Sequence, residues 1–337
     1  MSRSERPRRP ALTLSIVLLS VAVVCLGTVL VAKAFGGSGA AVRPGSADAS
    51  NAAPSFLAGK GLYVDPDSSA ARASMADPSV AVTFAPLAHT PTAIWLTPEK
   101  YPTVSVETSV ARIVRDATAK KDVASFVVYG IPNRDCGSQS SGGLDQASYP
   151  AWVAAIAKGV EGSKSIVVLE PDSLAQSASC GEQDARIIEV RNAASQFSGT
   201  SPEVYLDGGH SNWLPAATMA DLLNRAGVSS VRGFATNVSN YNATERERNY
   251  ASTVSKLTGG AHYIIDVSRN GAGSNGDWCN PPGRRIGTTP SIDHSNNAHD
   301  GDLWIKPPGE SDGTCNGGPA AGQWWAQSAL ELLGLGS

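Results

Sequence analysis

The chain is poor in charge: Asp, Glu, Lys and Arg make up 17% of its 337 residues, and the formal net charge is -3. No dense Lys/Arg cluster follows Arg9, so the basic face that a polyanion requires is missing and nucleic acid is excluded as a partner. Cysteine is scarce too. None of the five stands in the closely spaced pairs that a zinc site draws on. His294, His299 and Asp300 lie in a polar Asn/Ser loop and are expected to stay solvated, so no metal is expected. Gly271-Ala-Gly273-Ser-Asn-Gly276 fits a dinucleotide fingerprint by letter. It leads into Asp277-Trp278-Cys279 and a double proline, however, with no helix to receive a pyrophosphate, and the match is rejected.

Only one long hydrophobic run occurs, Ala11 to Ala32, and Arg3, Arg6, Arg8 and Arg9 precede it. That order is an export address, either a cleaved signal peptide or an uncleaved anchor over residues 1–34, since about 20 apolar residues also span a bilayer. Ala32-Lys33-Ala34 offers a small-residue cleavage site, so release is preferred over anchoring, and the membrane is a partner only if the segment stays uncleaved. Cys25 follows Val24, which is too large for lipoprotein-type processing. The Gly/Ser/Ala-rich tract over 35–54 reads as a flexible linker, leaving 55–337 as a single domain.

What is plentiful is hydrophobic material, 42%, with 34 Gly and 21 Pro, enough for a full core surrounded by long ordered loops. From Thr92 onward strand-like and helix-like patterns alternate. Expected strands are Thr92–Leu96, Val123–Tyr129, Ser165–Leu169, Val204–Asp207, Val231–Thr236, His262–Val267 and Leu303–Ile305. Helical spacing joins Val106, Val110, Ile113, Val114 and Ala117, and also Ile187, Ile188, Arg191 and Ala194. The alternation predicts an α/β fold with a mainly parallel sheet wrapped by helices. Seven or eight such units fit a β/α barrel better than an open doubly wound sheet.

The strand ends carry the chemistry. Ile166-Val167-Val168-Leu169 reads as a buried strand that Pro171 stops, so Glu170 and Asp172 stand at its carboxyl end. Other ends present Tyr129 with Arg134 and Asp135, then Asp207 with His210, Asn237, Asp266 with Arg269, and Lys306 with Glu310 and Asp312. In a barrel these share one carboxylate-rich mouth. Trp95, Trp213, Trp278 and Trp304 lie near the same ends, and flat rings beside acids and amides suit a sugar chain. Two carboxyls in opposed environments can hydrolyse a glycosidic bond, one giving a proton and one activating water, although the residues alone do not rank the acids. Taken singly, Glu170-Pro171-Asp172 would be a turn, and Asp207 or Asp266 would bond the barrel rim or an arginine such as Arg269. Trp324 and Trp325 read as core. With Cys25 removed, four cysteines remain and permit three pairings. Cys136 with Cys180 and Cys279 with Cys315 is preferred, because each pair clamps loops flanking an active-site segment.

Tyr129-Gly-Ile-Pro-Asn-Arg-Asp-Cys136-Gly through Ser141-Gly142-Gly143, and Val167-Val-Leu-Glu-Pro-Asp172-Ser-Leu174, resemble the two signature motifs of glycoside hydrolase family 6, the inverting cellulases. The resemblance extends to Tyr205–Trp213, Arg232–Asn240, Gly276–Asn280 and Trp304–Gly313, covering roughly residues 56 to 337. It implies a distorted TIM-like barrel of about seven parallel strands in a single catalytic domain, needing no cofactor and acting as a secreted monomer on β-1,4-glucan. It assigns Asp172 as general acid, Asp135 as the neighbour that raises its pKa, and Tyr129 as the residue under the distorted sugar. Ser141 becomes the water-holding serine of a mobile loop and Asp312 the base. Asp300 and Asp302, just before Trp304, depart from the family pattern and add rival acids for the base. Trp95, Asp207, His210, Trp213, Asn237, Trp278, Lys306 and Glu310 become substrate-cleft residues. The family's two disulfides coincide with the preferred pairing. The short segment between Cys279 and Trp304 favours endo action over a roofed tunnel, with a cellobiohydrolase or a silent glucan-binding protein as alternatives. No separate cellulose-binding module is expected.

Overall fold

The computed structural model describes residues 60–293 and 297–336, so the expected signal segment and linker, and His294, lie outside them. Strands and helices alternate as β1 (Gly61–Leu62), α1 (Ser69–Ala76), α2 (Ala81–Ala88), β2 (Ile94–Leu96), α3 (Thr103–Ala119), β3 (Asp122–Val128), α4 (Tyr149–Val160), β4 (Ser165–Leu169), α5 (Ser173–Gln176) and α6 (Gln183–Ser195). They continue with β5 (Glu203–Asp207), α7 (Ala216–Arg225), β6 (Gly233–Thr236), α8 (Thr244–Leu257), β7 (His262–Asp266), β8 (Ser291–Ile292), β9 (His299–Leu303) and α9 (Ala326–Leu332).

The strands are apolar on both faces because both faces are covered. In β4, Ile166 and Val168 face the barrel interior with Val127 and Tyr205, whereas Val167 and Leu169 pack outward into the helix layer with Phe126 and Leu206. Val127, Val168 and Tyr205 lie in register across β3, β4 and β5, so the interior is filled by side chains in layers. Among the described residues the parallel staves run β2-β3-β4-β5-β6-β7-β9, with β1 also paired to β3 and β8 antiparallel to β9. A backbone hydrogen bond from Ala93 N–H to Trp304 O, 2.9 Å, crosses the seam between the two ends of that path. The result is the distorted seven-stave barrel expected from the sequence. Gly233 shows how tightly two staves approach, since a Cβ there would stand 1.8 Å from the carbonyl oxygen of His262.

The structure corrects the sequence reading in four places. The last stave is His299–Leu303 rather than Leu303–Ile305, because its polar residues are paired instead of solvated. Asp300 accepts from Arg232 at 2.8 Å, His262 at 3.0 Å and the Tyr205 hydroxyl at 2.7 Å, at the amino-terminal end of the barrel. Asp302 pairs with Arg248 at 2.9 Å, so neither acid stands at the mouth. His299 is buried between Asp293 and Asp302, 2.9 Å from each, and is not the solvated loop histidine expected. On α6 the buried stripe is Arg186, Ile187, Val190, Ala193 and Ala194, while Ile188 is 53% exposed. Trp324 precedes α9 and is partly buried against the core, edge-on to Phe84 at 5.1 Å between centroids.

Candidate active site

The mouth is assembled from strand ends whose backbones leave the extended region. Glu170 and Asp172, after β4, have φ of 50° and 70°, and Asp135, in the loop after β3, has φ of 56°. Strained, non-glycine left-handed residues persist only where surroundings over-determine them. Here the surroundings are visible. The Glu170 carboxylate, fully buried, accepts from Gly130 N–H (3.1 Å), Ile131 N–H (3.2 Å) and the Tyr149 hydroxyl (2.8 Å), tying the end of β3 to the end of β4. It faces back into the protein and not into the mouth.

Tyr129 follows β3, with its ring edge-on to Trp95 at 5.1 Å, its hydroxyl 2.9 Å from Ser140 Oγ and the Arg134 guanidinium 4.9 Å from its centroid. Arg134 also bonds the carbonyls of Tyr129 and Ser140, holding the loop by its base. Asp135 receives Ser140 N–H at 2.9 Å and the Gln176 amide at 3.2 Å, and the Cys136–Cys180 disulfide beside it joins this loop to the segment after α5. The second bridge, Cys279–Cys315, joins the two segments around Asp312. Both preferred pairings are therefore present.

Two carboxyls at this mouth are tuned in opposite directions. Burial, and then the charges of Asp207, Asp135 and Asp312, push Asp172 well above the usual carboxylate range. Beneath it Asp207 accepts the N–H groups of Asp172 and Gly209, 3.0 Å each, while its other oxygen has no hydrogen-bond partner among the described residues. Burial lifts Asp207 to about 7. Asp312 goes the other way, because Arg269 (2.9 Å) and Lys306 (3.7 Å) outweigh its burial, aided by the Asn280 N–H (3.0 Å) and Tyr241 hydroxyl (2.9 Å). One group is biased toward its protonated form and the other toward its ionised form, which is what paired acid and base work requires.

A cleft of about 520 Å³ brings together Trp95, Tyr129, Asp135, Ser141, Asp172, Trp278, Lys306, Glu310 and Asp312. Lys306 lies 5.5 Å from the centroid of Trp95, and Trp278 is 53% exposed. Asp207, His210, Trp213 and Asn237 are outside this lining. His210 and Trp213 pack against one another, tilted by 42° at 5.4 Å between centroids, and burial with Arg246 lowers His210 to about 4. The amide of Asn237 is spent on the backbone of Asp266 (2.8 Å) and Asn242. Asp266 is a rim residue, accepting four backbone N–H groups, and Arg269 pairs with Asp312 and not with it. A more apolar hollow of about 330 Å³ against α4 and α6 contains none of these acids. Ser140, Gln176, Tyr241 and Asn280 escaped the sequence reading, since only the folded loops bring them to the acids.

The family model "Glycosyl hydrolases family 6" matches residues 57–334. Endoglucanase A of Cellulomonas fimi is 42% identical over 81% of this chain, which spans only 60% of that longer protein. Endoglucanase 1 of Streptomyces halstedii is 38% identical over 81% of this chain and 88% of its own length. Among solved structures, the endoglucanase Cel6 from Mycobacterium tuberculosis, in complex with methyl-cellobiosyl-4-deoxy-4-thio-β-D-cellobioside, superposes with a TM-score of 0.79 at 42% identity, covering 83% of this chain and 98% of that one. With a barrel, two bridges and an opposed acid pair that agree with a family match over nearly all the described residues, the chain belongs to glycosyl hydrolases family 6.

Proposed function

We propose that the protein is a secreted, monomeric, inverting hydrolase of β-1,4-glucan, endo-acting, with residues 55–337 as its catalytic domain and 1–34 as its export segment. The carrying observation is the opposition at the cleft: Asp172 is held toward its protonated form and Asp312 toward its ionised form. Asp172 gives its proton to the leaving glycosidic oxygen, and Asp135 helps keep that proton in place beforehand. Water attacks from the opposite face of the sugar, assisted by Asp312 directly or through a relay of water, Ser141 and Asp135. The relay is favoured because Asp312 already accepts from Arg269, Tyr241 and Asn280, which leaves it a weak base. Tyr129 lies under the reacting sugar, and Trp95, Trp278, Lys306 and Glu310 bind the chain. Asp207, His210, Trp213 and Asn237 act from around the cleft.

The test is Asp172→Asn. Cleavage of soluble β-glucan should fall by about 100-fold or more, the usual contribution of a general acid, and cellohexaose products of the wild type should carry inverted anomeric configuration. Near-normal turnover in the variant, or retained configuration in the wild type, contradicts the assignment.

A further inference from the structure

The chain contains three Asn-Gly pairs, Asn270-Gly271, Asn275-Gly276 and Asn316-Gly317. In such a pair the glycine nitrogen can attack the asparagine amide carbon, because no glycine Cβ stands in its way. Their surroundings differ. Asn270 is buried, its amide nitrogen donates to Asn242 O at 3.0 Å and to the Thr244 hydroxyl at 2.9 Å, and the Gly271 N–H is held by Arg285 O at 3.1 Å. Asn316 is exposed, but its amide nitrogen donates to Cys279 O at 3.0 Å, beside the Cys279–Cys315 bridge. Asn275 is exposed and its amide nitrogen has no protein partner among the described residues. Its side-chain oxygen accepts the Asp277 N–H at 3.1 Å, and the Gly276 N–H donates to Ser274 Oγ at 3.1 Å. The first bond draws electron density from the carbon to be attacked, and the second engages the proton that has to leave. Ser274 to Asp277 make no backbone-to-backbone hydrogen bond among the described residues, and Gly276 has φ of 99° with open space where a Cβ would stand.

We propose that Asn275 is a site of spontaneous succinimide formation and that the rearranged backbone weakens substrate binding at Trp278. Gly276 N bonds to Asn275 Cγ, the Cγ–Nδ2 bond breaks, and the glycine proton leaves with that nitrogen as ammonia. Water then opens the ring at either carbonyl. One product is aspartate, and the other is isoaspartate, in which the main chain runs through the side-chain carbon and gains a methylene. On one side of this turn Gly273 O is held by the Arg284 guanidinium. On the other, Cys279 is fixed by its bridge and Asn280 N–H donates to Asp312 at 3.0 Å. The extra atom is therefore absorbed between Gly273 and Cys279, a span that includes Trp278 on the cleft lining, while Asp312 keeps its partners. The effect on binding rests on the β-glucan hydrolase reading above, whereas the modification is independent of it.

The test incubates wild type, Asn275→Gln and Asn275→Asp at mildly alkaline pH and follows them by peptide mapping. Asn275 should gain about 1 Da, with release of ammonia and formation of isoaspartate. It should do so about tenfold faster than Asn270 or Asn316, whose amide hydrogen bonds add to the barrier. Equal rates at the three pairs, or no modification at Asn275, overturn the site. On cellohexaose, aged wild type should show KM raised about two- to fivefold with kcat changed by less than about twofold, and aged Asn275→Gln should show neither change. Freshly prepared Asn275→Asp carries the new charge without the extra methylene and should keep the wild-type KM. An unaltered KM in modified wild type, or a KM already raised in fresh Asn275→Asp, overturns the backbone effect. A fresh wild type that does not cleave cellohexaose refutes the substrate reading instead, and the peptide map still judges the site.

Discussion

Glu170 and Asp172 are two residues apart and do different work because Pro171 and two left-handed backbones turn them to opposite sides. Glu170 is surrounded by three donors, and burial lifts it to about 7. An uncharged amide of the same shape can still accept the N–H groups of Gly130 and Ile131 through its oxygen and donate to the Tyr149 hydroxyl. Alanine leaves all three without a partner in a dry site. Glu170→Ala should therefore lose about 3 kcal/mol of unfolding free energy in urea and Glu170→Gln less than half of that. Equal losses would mean that the charge, and not the hydrogen-bond geometry, is what this position supplies. The sequence shows the acids at this strand end clearly. Which one faces the cleft depends on the backbone of Gly130 and Ile131, forty residues earlier in the chain, and the strand pattern carries no sign of it.

At the scale of elements, apolar staves were legible where burial is apolar. β4 has the expected bounds because every residue from Ser165 to Leu169 is buried, whereas β9 was displaced because Asp300 is stabilised by Tyr205 of β5, His262 of β7 and Arg232 just before β6. Helix α6 repeats that lesson next to the site. Its buried Arg186 donates to the carbonyls of Pro132 (2.7 Å) and Asn133 (3.4 Å) and is balanced by Glu189 at 3.1 Å and Glu182 at 3.4 Å. The spacing Ile187, Ile188, Arg191 and Ala194 places Ile188 inward and misses Arg186, because the buried stripe is rotated to Arg186, Ile187, Val190, Ala193 and Ala194. Arg186 thus holds the turn immediately before Arg134 and Asp135. Arg186→Met should cost about 2–3 kcal/mol in chemical denaturation, because the buried Pro132 carbonyl loses its donor and the partly buried Glu189 loses its counter-charge. Arg186→Lys should recover less than half, because one ammonium cannot reproduce the guanidinium fork. Full recovery by lysine would show that charge alone suffices at this position.

For the whole molecule, the buried carboxyls set the response to pH. Burial lifts Glu170 and Asp207 to about 7, and Asp172 is raised by burial and its acidic neighbours. A carboxyl titrating near 4 when unfolded and near 7 when folded binds more protons in the folded state between those values, so stability is lost as pH climbs through that window. His299 adds the same sign at higher pH, because the hydrogen bonds it donates to Asp302 and Asp293 outweigh its burial and raise it. His210 opposes them: burial and Arg246 hold it near 4, so its contribution is lost as pH falls from the ordinary histidine range toward 4. Asp312 and Asp300, both lowered, contribute stability that disappears only below the ordinary carboxylate range. Between pH 5.5 and 8, Glu170 and Asp207 each forfeit about 2 kcal/mol and His210 returns about 1, so these three groups together lose about 3 kcal/mol, and Asp172 and His299 add to the loss. The melting temperature should accordingly be higher at pH 5.5 than at pH 8 by roughly 5 °C or more. Asp207→Asn should remove about half of that difference whatever it does to stability at a single pH. A melting temperature that is flat or rising between pH 5.5 and 8 would mean that these carboxyls are ionised in the folded protein, and with them the basis for keeping the Asp172 proton in place would be lost.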